Sequence, residues 1–200
     1  NCLVGIVTID DVIDVIREEA TEDILKMAGA DETAYETNSL FRNFKTRAPW
    51  LFATWLGGLG ASMLIAAFDH QLQATVALAA FIPIVLGMGG NVGIQTATII
   101  VRGLATGRVS DGVGIQYLVR ETAIGVMLGL LYGCLIGVYT FIAYGTAASS
   151  ALALSLTVGL SVLSSMASSA AVGAFTPLFF DRMRIDPAIA TGPIVTTTVD

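Results

Sequence analysis

The sequence predicts an all-α integral membrane protein. Only 13% of its residues are charged and its mean hydropathy is +0.76, whereas soluble domains average about 25% charged residues. Two stretches, residues 71–101 and 122–180, carry no charged side chain at all. Each is longer than the roughly 20 apolar residues that cross a bilayer. We therefore expect spans at about 48–68, 71–101, 117–145, 150–180 and from 188 onward, the fifth being truncated at residue 200.

The basic residues predict the orientation of these spans. All ten Lys and Arg residues fall before the first span, between the second and third, or between the fourth and fifth. The connections around Asp69-His70 and residues 145–150 have none. Cytoplasmic loops are enriched in Lys and Arg, so the N-terminal segment is predicted to be cytoplasmic.

That N-terminal segment is acidic and predicted to be a strand followed by a helix. Residues 3–9 are short, apolar and β-branched, which favours a buried strand. Asp10 is the expected N-cap of a helix that ends at Gly29. Acidic residues recur at i+4 along this helix, and like charges at that spacing repel. Spacing alone leaves two interpretations, a solvated acidic face or a site for hard divalent cations, which prefer carboxylate oxygens.

The stretch Phe81 to Gln95 is unusual for a membrane span. It contains Pro83, four glycines and the amide side chains of Asn91 and Gln95. Proline and glycine favour kinks, and a broken helix at membrane depth is tolerated where its backbone faces protein or water. We therefore predict an interrupted helix that lines a polar path, which indicates transport. Glycines at every fourth position from 125 to 137 instead predict close helix packing.

Asp200 is the strongest candidate for an ion ligand. It follows Asp186 by 14 positions, a rise of roughly 20 Å along an unbroken helix into a hydrocarbon core about 30 Å thick. An acid at that depth is by default a functional hypothesis, although a short segment would instead bring Asp200 to the far interface. With threonine hydroxyls nearby, the site suits a hard cation such as Mg²⁺. Glu121, beside Arg120, is interpreted as a local ion pair or helix-end charge.

The spans contain no nucleophile paired with a base, so no enzyme activity is predicted.

Three separated motifs resemble one family. The stretch from Pro83 to Gln95 resembles the second transmembrane helix of MgtE magnesium channels, and Asp186 to Asp200 resembles the start of their fifth. The segment GIVTIDDVIDVIREEATEDI is similar to the end of their second CBS domain.

The resemblance implies a homodimer with five transmembrane helices per subunit. Residues 1–31 would be the partial, cytosolic end of a CBS domain, 32–48 an amphipathic connecting plug helix, and 49–200 the pore domain. It implies a plasma-membrane protein of the bacterial inner membrane that takes up Mg²⁺ and closes when cytosolic Mg²⁺ binds. The lipid bilayer is a further partner, nucleic acid is not, and nucleotide binding at the remainder of the CBS pair stays open.

The resemblance also implies two sets of site residues. The pore set would hold hydrated Mg²⁺ and comprises Asp200, Asn91, Gly90, Gly93, Gln95, Thr196 and Thr197. The cytosolic regulatory set comprises Asp11, Asp14, Glu19, Glu22, Asp23 and Asp186. Alternative functions are a broader divalent-cation transporter that also passes Co²⁺ or Mn²⁺ and a membrane-anchored CBS sensor.

Overall fold

The computed structural model describes residues 5–30, 39–109, 112–145 and 151–199, and this part of the chain is helical with no strand. The long helices are α1 (Ile9–Met27), α2 (Leu40–Ala67), α4 (Ile82–Ala105), α5 (Gly114–Tyr144) and α6 (Ala151–Arg182). The short ones are α3 (Asp69–Ala74), a 3-10 helix (Val76–Phe81), α7 (Pro187–Thr191) and α8 (Pro193–Val199).

Four helical segments in the described ranges are long and apolar enough to cross a membrane. They are Leu40–Ala67, Val76–Ala105 (the 3-10 helix with α4), Gly114–Tyr144 and Ala151–Arg182. The all-α prediction is confirmed to this extent. The region of the expected fifth span contains two short helices, α7 and α8, which are separated at Gly192 and are not among these four segments.

The packed core is formed by α4, α5 and α6. Gly125, Gly129, Gly133 and Gly137 are buried on α5 and lie against α6. Gly133 lies so close to the Gly159 carbonyl that an added Cβ would be 2.6 Å from that oxygen. Ser155 Oγ donates a 2.5 Å hydrogen bond to the Gly137 carbonyl across the same interface. The predicted glycine packing face is confirmed, because small residues let two helix backbones approach.

The start of α1 differs from its prediction. Of the predicted strand 3–9, residues 5–8 form irregular structure and Ile9 begins α1, while residues 3 and 4 lie outside the described residues. Thr8, not Asp10, is the N-cap, and its hydroxyl accepts a hydrogen bond from the Asp11 amide. The Asp11 carboxylate in turn accepts from the Thr8 amide at 2.7 Å, which completes a capping box. The predicted end is confirmed at Gly29, whose φ is 68°.

The predicted interruption between Phe81 and Gln95 is wrong, because α4 runs unbroken through all four glycines. Pro83 lies in the first turn, where its missing amide hydrogen costs no helical hydrogen bond. The irregular segment precedes it, at the 3-10 helix 76–81. His70, expected in a loop, lies in the short helix α3.

The predicted connecting helix and first span are not separated by a break within the described residues. One helix, α2, continues from Leu40 to Ala67 with Pro49 inside it. None of its residues is buried within this chain. Its contacts with the rest of the chain are mainly with α8.

Candidate functional site

A polar face runs along α4 within a membrane-length helix. Asn91 and Gln95 are one turn apart and both exposed, and Thr98 continues the exposed side. The opposite side is buried at Val92, Gly93, Thr96, Ala97 and Ile100. Amide and hydroxyl groups exposed in an apolar span need water, an ion or another protein surface as a partner.

The contacts of α4 with α6 determine which side is exposed. The Gly93 carbonyl lies directly against Gly173 of α6, with no space for a Cβ at Gly173. About two turns toward the start of α4, Ser165 Oγ donates a 3.0 Å hydrogen bond to the Val85 carbonyl. These contacts turn the amides of Asn91 and Gln95 away from the chain's own core. Of the predicted pore glycines, Gly90 is half-buried and Gly93 is buried.

The threonines of α8 lie beside this region, because α8 packs against both α4 and α2. Thr196 Oγ1 donates to the Gly192 carbonyl at 3.0 Å. Thr197 Oγ1 is buried without a hydrogen-bond partner, and the Thr197 methyl group lies against Gly57 of α2. Asp200 lies outside the described residues. The rise of roughly 20 Å expected from Asp186 assumed one unbroken helix, and the break at Gly192 removes that assumption.

A second charged cluster joins α1 to the start of α7. Lys26 Nζ donates to Asp186 Oδ2 at 2.6 Å and also lies 2.7 Å from Glu22 Oε1. The hydrogen bond to Asp186, followed by that to Glu22, raises the pKa of Lys26 above its ordinary value. Asp23 lies on the same side of α1. Its pKa is raised by partial burial first and then by the negative charge of Asp186.

The other predicted regulatory acids are farther away or exposed. Asp11 precedes Asp23 by twelve residues, about 18 Å along a helix, and it serves the capping box. Hydrogen bonds from the Thr8 backbone and side chain lower the pKa of Asp11. Asp14 and Glu19 are exposed. In the described ranges, no group of three or more His, Cys, Asp or Glu side chains is arranged to hold a metal ion within this one chain.

Three residues outside the two predicted site sets become candidates in the structure. Thr98 extends the polar face, and Lys26 bridges the acidic cluster. Glu121 is only 4% exposed, while its neighbour Arg120 is exposed. Within the described part, no ion pair joins the two, so the predicted local pair is not found. The sequence did contain a signal for the burial of Glu121, because Glu121 precedes Gly125 by four residues and so lies on the same helix face as the buried glycines.

Comparison with known proteins agrees with these features. A family profile described as "Divalent cation transporter" and named MgtE matches residues 82–200. The chain is 35% identical over 200 residues to the magnesium transporter MgtE of Thermus thermophilus and 33% identical over 201 residues to that of Bacillus subtilis. The Enterococcus faecalis relative is 33% identical over 198 residues. These alignments cover 99–100% of this chain but only 42–43% of each relative, so the chain spans less than half of their length. The chain belongs to the MgtE family of divalent cation transporters.

Proposed function

We propose that the whole protein is a Mg²⁺-selective channel or transporter that mediates magnesium uptake across the bacterial inner membrane. The observation that carries the proposal is the exposed pair Asn91 and Gln95 on α4. These amides suit a hydrated ion, because Mg²⁺ keeps several of its waters and is held through few direct ligands. The relatives named as magnesium transporters support the choice of ion.

The proposed assembly is a homodimer with the path between the two copies. In the described part of one chain, no helix covers the polar face of α4, and α8 with its threonines lies alongside. A second copy that brings its own α4 to this face would enclose the exposed amides. In this arrangement Asn91, Gln95, the backbone at Gly90 and Gly93, and the threonines line the path. Asp200 supplies its carboxylate.

We further propose that cytosolic Mg²⁺ closes the path by acting on the acids of α1 and Asp186. Crowded carboxylates repel, and an ion that neutralises them favours the arrangement in which they are close. The raised pKa of Asp23 supports this, because it reflects burial beside Asp186. In this scheme residues 1–31 are the end of a cytosolic CBS domain, 32–48 a connecting helix, and 49–200 the pore domain.

Mg²⁺ uptake into vesicles by the whole protein tests the transport proposal. We expect Asp200→Ala, Asp200→Asn and Asn91→Leu each to reduce flux by at least tenfold, since an intramembrane polar ligand is lost. Two matched controls are Asp69→Asn, at the end of the first span, and Thr157→Val, exposed on α6. Both should transport normally. Flux that survives all three site substitutions in a folded protein would refute the proposed path.

The two alternatives predict different results in the same assay. A broader divalent transporter would take up Co²⁺ or Mn²⁺ at rates close to that of Mg²⁺. A membrane-anchored sensor would show no flux of any ion, although Mg²⁺ would still change the exposure of α1. The exposed amides of α4 favour the transporter, because an anchor does not need polar groups within its spans.

A further inference from the structure

An ion pair made by Lys26 joins α1 to the start of α7. Lys26 Nζ lies within hydrogen-bonding distance of Asp186 Oδ2, at 2.6 Å, and of Glu22 Oε1, at 2.7 Å. Charge-assisted hydrogen bonds of this length are stronger than neutral ones. Glu22 and Lys26 belong to the same helix, whereas Asp186 is 160 residues away from Lys26 in sequence. The lysine therefore links two distant elements.

The acceptor Asp186 is itself fixed. Its second oxygen, Oδ1, accepts a 2.9 Å hydrogen bond from the Ala188 amide and so caps α7. Further along, the Met27 carbonyl lies directly against Gly192, the residue between α7 and α8. The end of α1 thus touches the last segment both at its cap and at its break. These two contacts connect the end of α1 directly to α7 and to the residue before α8.

The charges at this contact do not balance. Glu22, Asp23 and Asp186 supply three carboxylates, and Lys26 supplies one ammonium group, which leaves two negative charges. A Mg²⁺ ion needs oxygens at about 2.0–2.1 Å, so it cannot occupy the position of the ammonium between the same two oxygens. Lys26 therefore neutralises one of the three carboxylate charges and leaves the contact with a net negative charge.

We propose that Lys26 is a positioning residue, a cation built into the chain that holds α1 against α7 when divalent ions are scarce. The part of this inference that concerns the divalent ion rests on the proposed regulation by cytosolic Mg²⁺. The role of Lys26 itself does not, because it concerns a contact made by the chain alone. By binding both Glu22 and Asp186, Lys26 holds these two carboxylates close together before any divalent ion binds.

Hydrogen–deuterium exchange of the whole protein in lipid nanodiscs tests this inference. In EDTA, we expect amides 23–30 to exchange about fivefold faster in Lys26→Met than in the unsubstituted protein, the effect of losing a partly exposed ion pair of about 1 kcal/mol. Lys26→Arg should retain slow exchange. Arg17→Met removes an exposed cation elsewhere on α1 and is the matched control. Combining Lys26→Met with Asp186→Asn should add no further acceleration beyond Lys26→Met alone.

Equal exchange of Lys26→Met and the unsubstituted protein in EDTA would overturn the inference, as would equal acceleration by Arg17→Met. A separate arm adds Mg²⁺ to the unsubstituted protein. If Mg²⁺ leaves its exchange unchanged, the proposed regulation fails, while the EDTA comparison still decides the role of Lys26.

Discussion

The Gly93 carbonyl of α4 fills the position that a side chain at Gly173 of α6 would occupy. The two helices are in backbone contact here, and the same contact directs Asn91 and Gln95 outward. The orientation of the candidate path therefore depends on the absence of a Cβ atom at Gly173. This dependence can be tested.

We expect Gly173→Ala to lower the free energy of unfolding by about 1–3 kcal/mol, because the added methyl group forces the two backbones apart. Thermal unfolding in detergent measures the loss. Gly58→Ala on α2 is the control, since an added Cβ there meets no atom within 4 Å. A Gly173→Ala protein as stable as Gly58→Ala would show that α4 and α6 do not pack as described.

Asp23→Asn should strengthen the contact between α1 and α7 in EDTA. The pKa of Asp23 is raised by burial and by Asp186, so its charge opposes the contact. For an acid with a raised pKa, the stability gained by protonation is present at low pH and is lost as pH rises through that raised value. Slower exchange of amides 23–30 in Asp23→Asn, with a smaller response to added Mg²⁺, is the expected result. Faster exchange would contradict the proposed repulsion.

Thr8→Ala should destabilise the first turns of α1 by about 1 kcal/mol, the usual effect of losing an N-cap. Its partner Asp11 has a lowered pKa because Thr8 donates to it. The cap contribution is therefore complete above the ordinary value of 3.8 and is lost as pH falls through the lowered pKa. Exchange of amides 9–13 at neutral pH measures the effect. We expect the Mg²⁺ response of amides 23–30 to be retained, which would separate the cap from the contact made by Glu22, Asp23, Lys26 and Asp186.

Glu121→Gln should leave the protein at least as thermally stable and reduce Mg²⁺ flux. Glu121 is buried on α5, and within the described ranges no hydrogen bond or ion pair to it is seen. A buried acid in a membrane helix costs stability and is by default a functional hypothesis. Arg120→Gln, next to it but exposed, is the control. Unchanged flux with a loss of stability would instead indicate a purely structural role.

The long apolar segments and the glycine row of α5 could be predicted because their causes are local. A long uncharged, apolar run indicates a membrane helix, and glycine at every fourth position indicates a packing face. The burial of Glu121 fits the same spacing, since it lies four residues before Gly125, but its charge and its neighbour Arg120 favoured a local ion pair or a helix-end charge.

The interruption in α4 was mispredicted for a physical reason. Glycine weakens an isolated helix, yet in α4 Gly93 permits a close backbone contact with α6 and the helix stays intact. The link between Lys26 and Asp186 could not be read from spacing, because 160 residues separate them. Only the folded chain brings the end of α1 to the start of α7.

The continuity of α2 has a mechanical consequence. With 28 residues, it is about 42 Å long, whereas the hydrocarbon core is about 30 Å thick. About 12 Å of the helix therefore projects beyond the core, and Pro49 interrupts the hydrogen-bond ladder inside the helix. We expect such a helix to act as a lever that pivots at the membrane surface. A sideways force on the projecting end would then tilt the span at Gly57, where α2 meets Thr197 of α8.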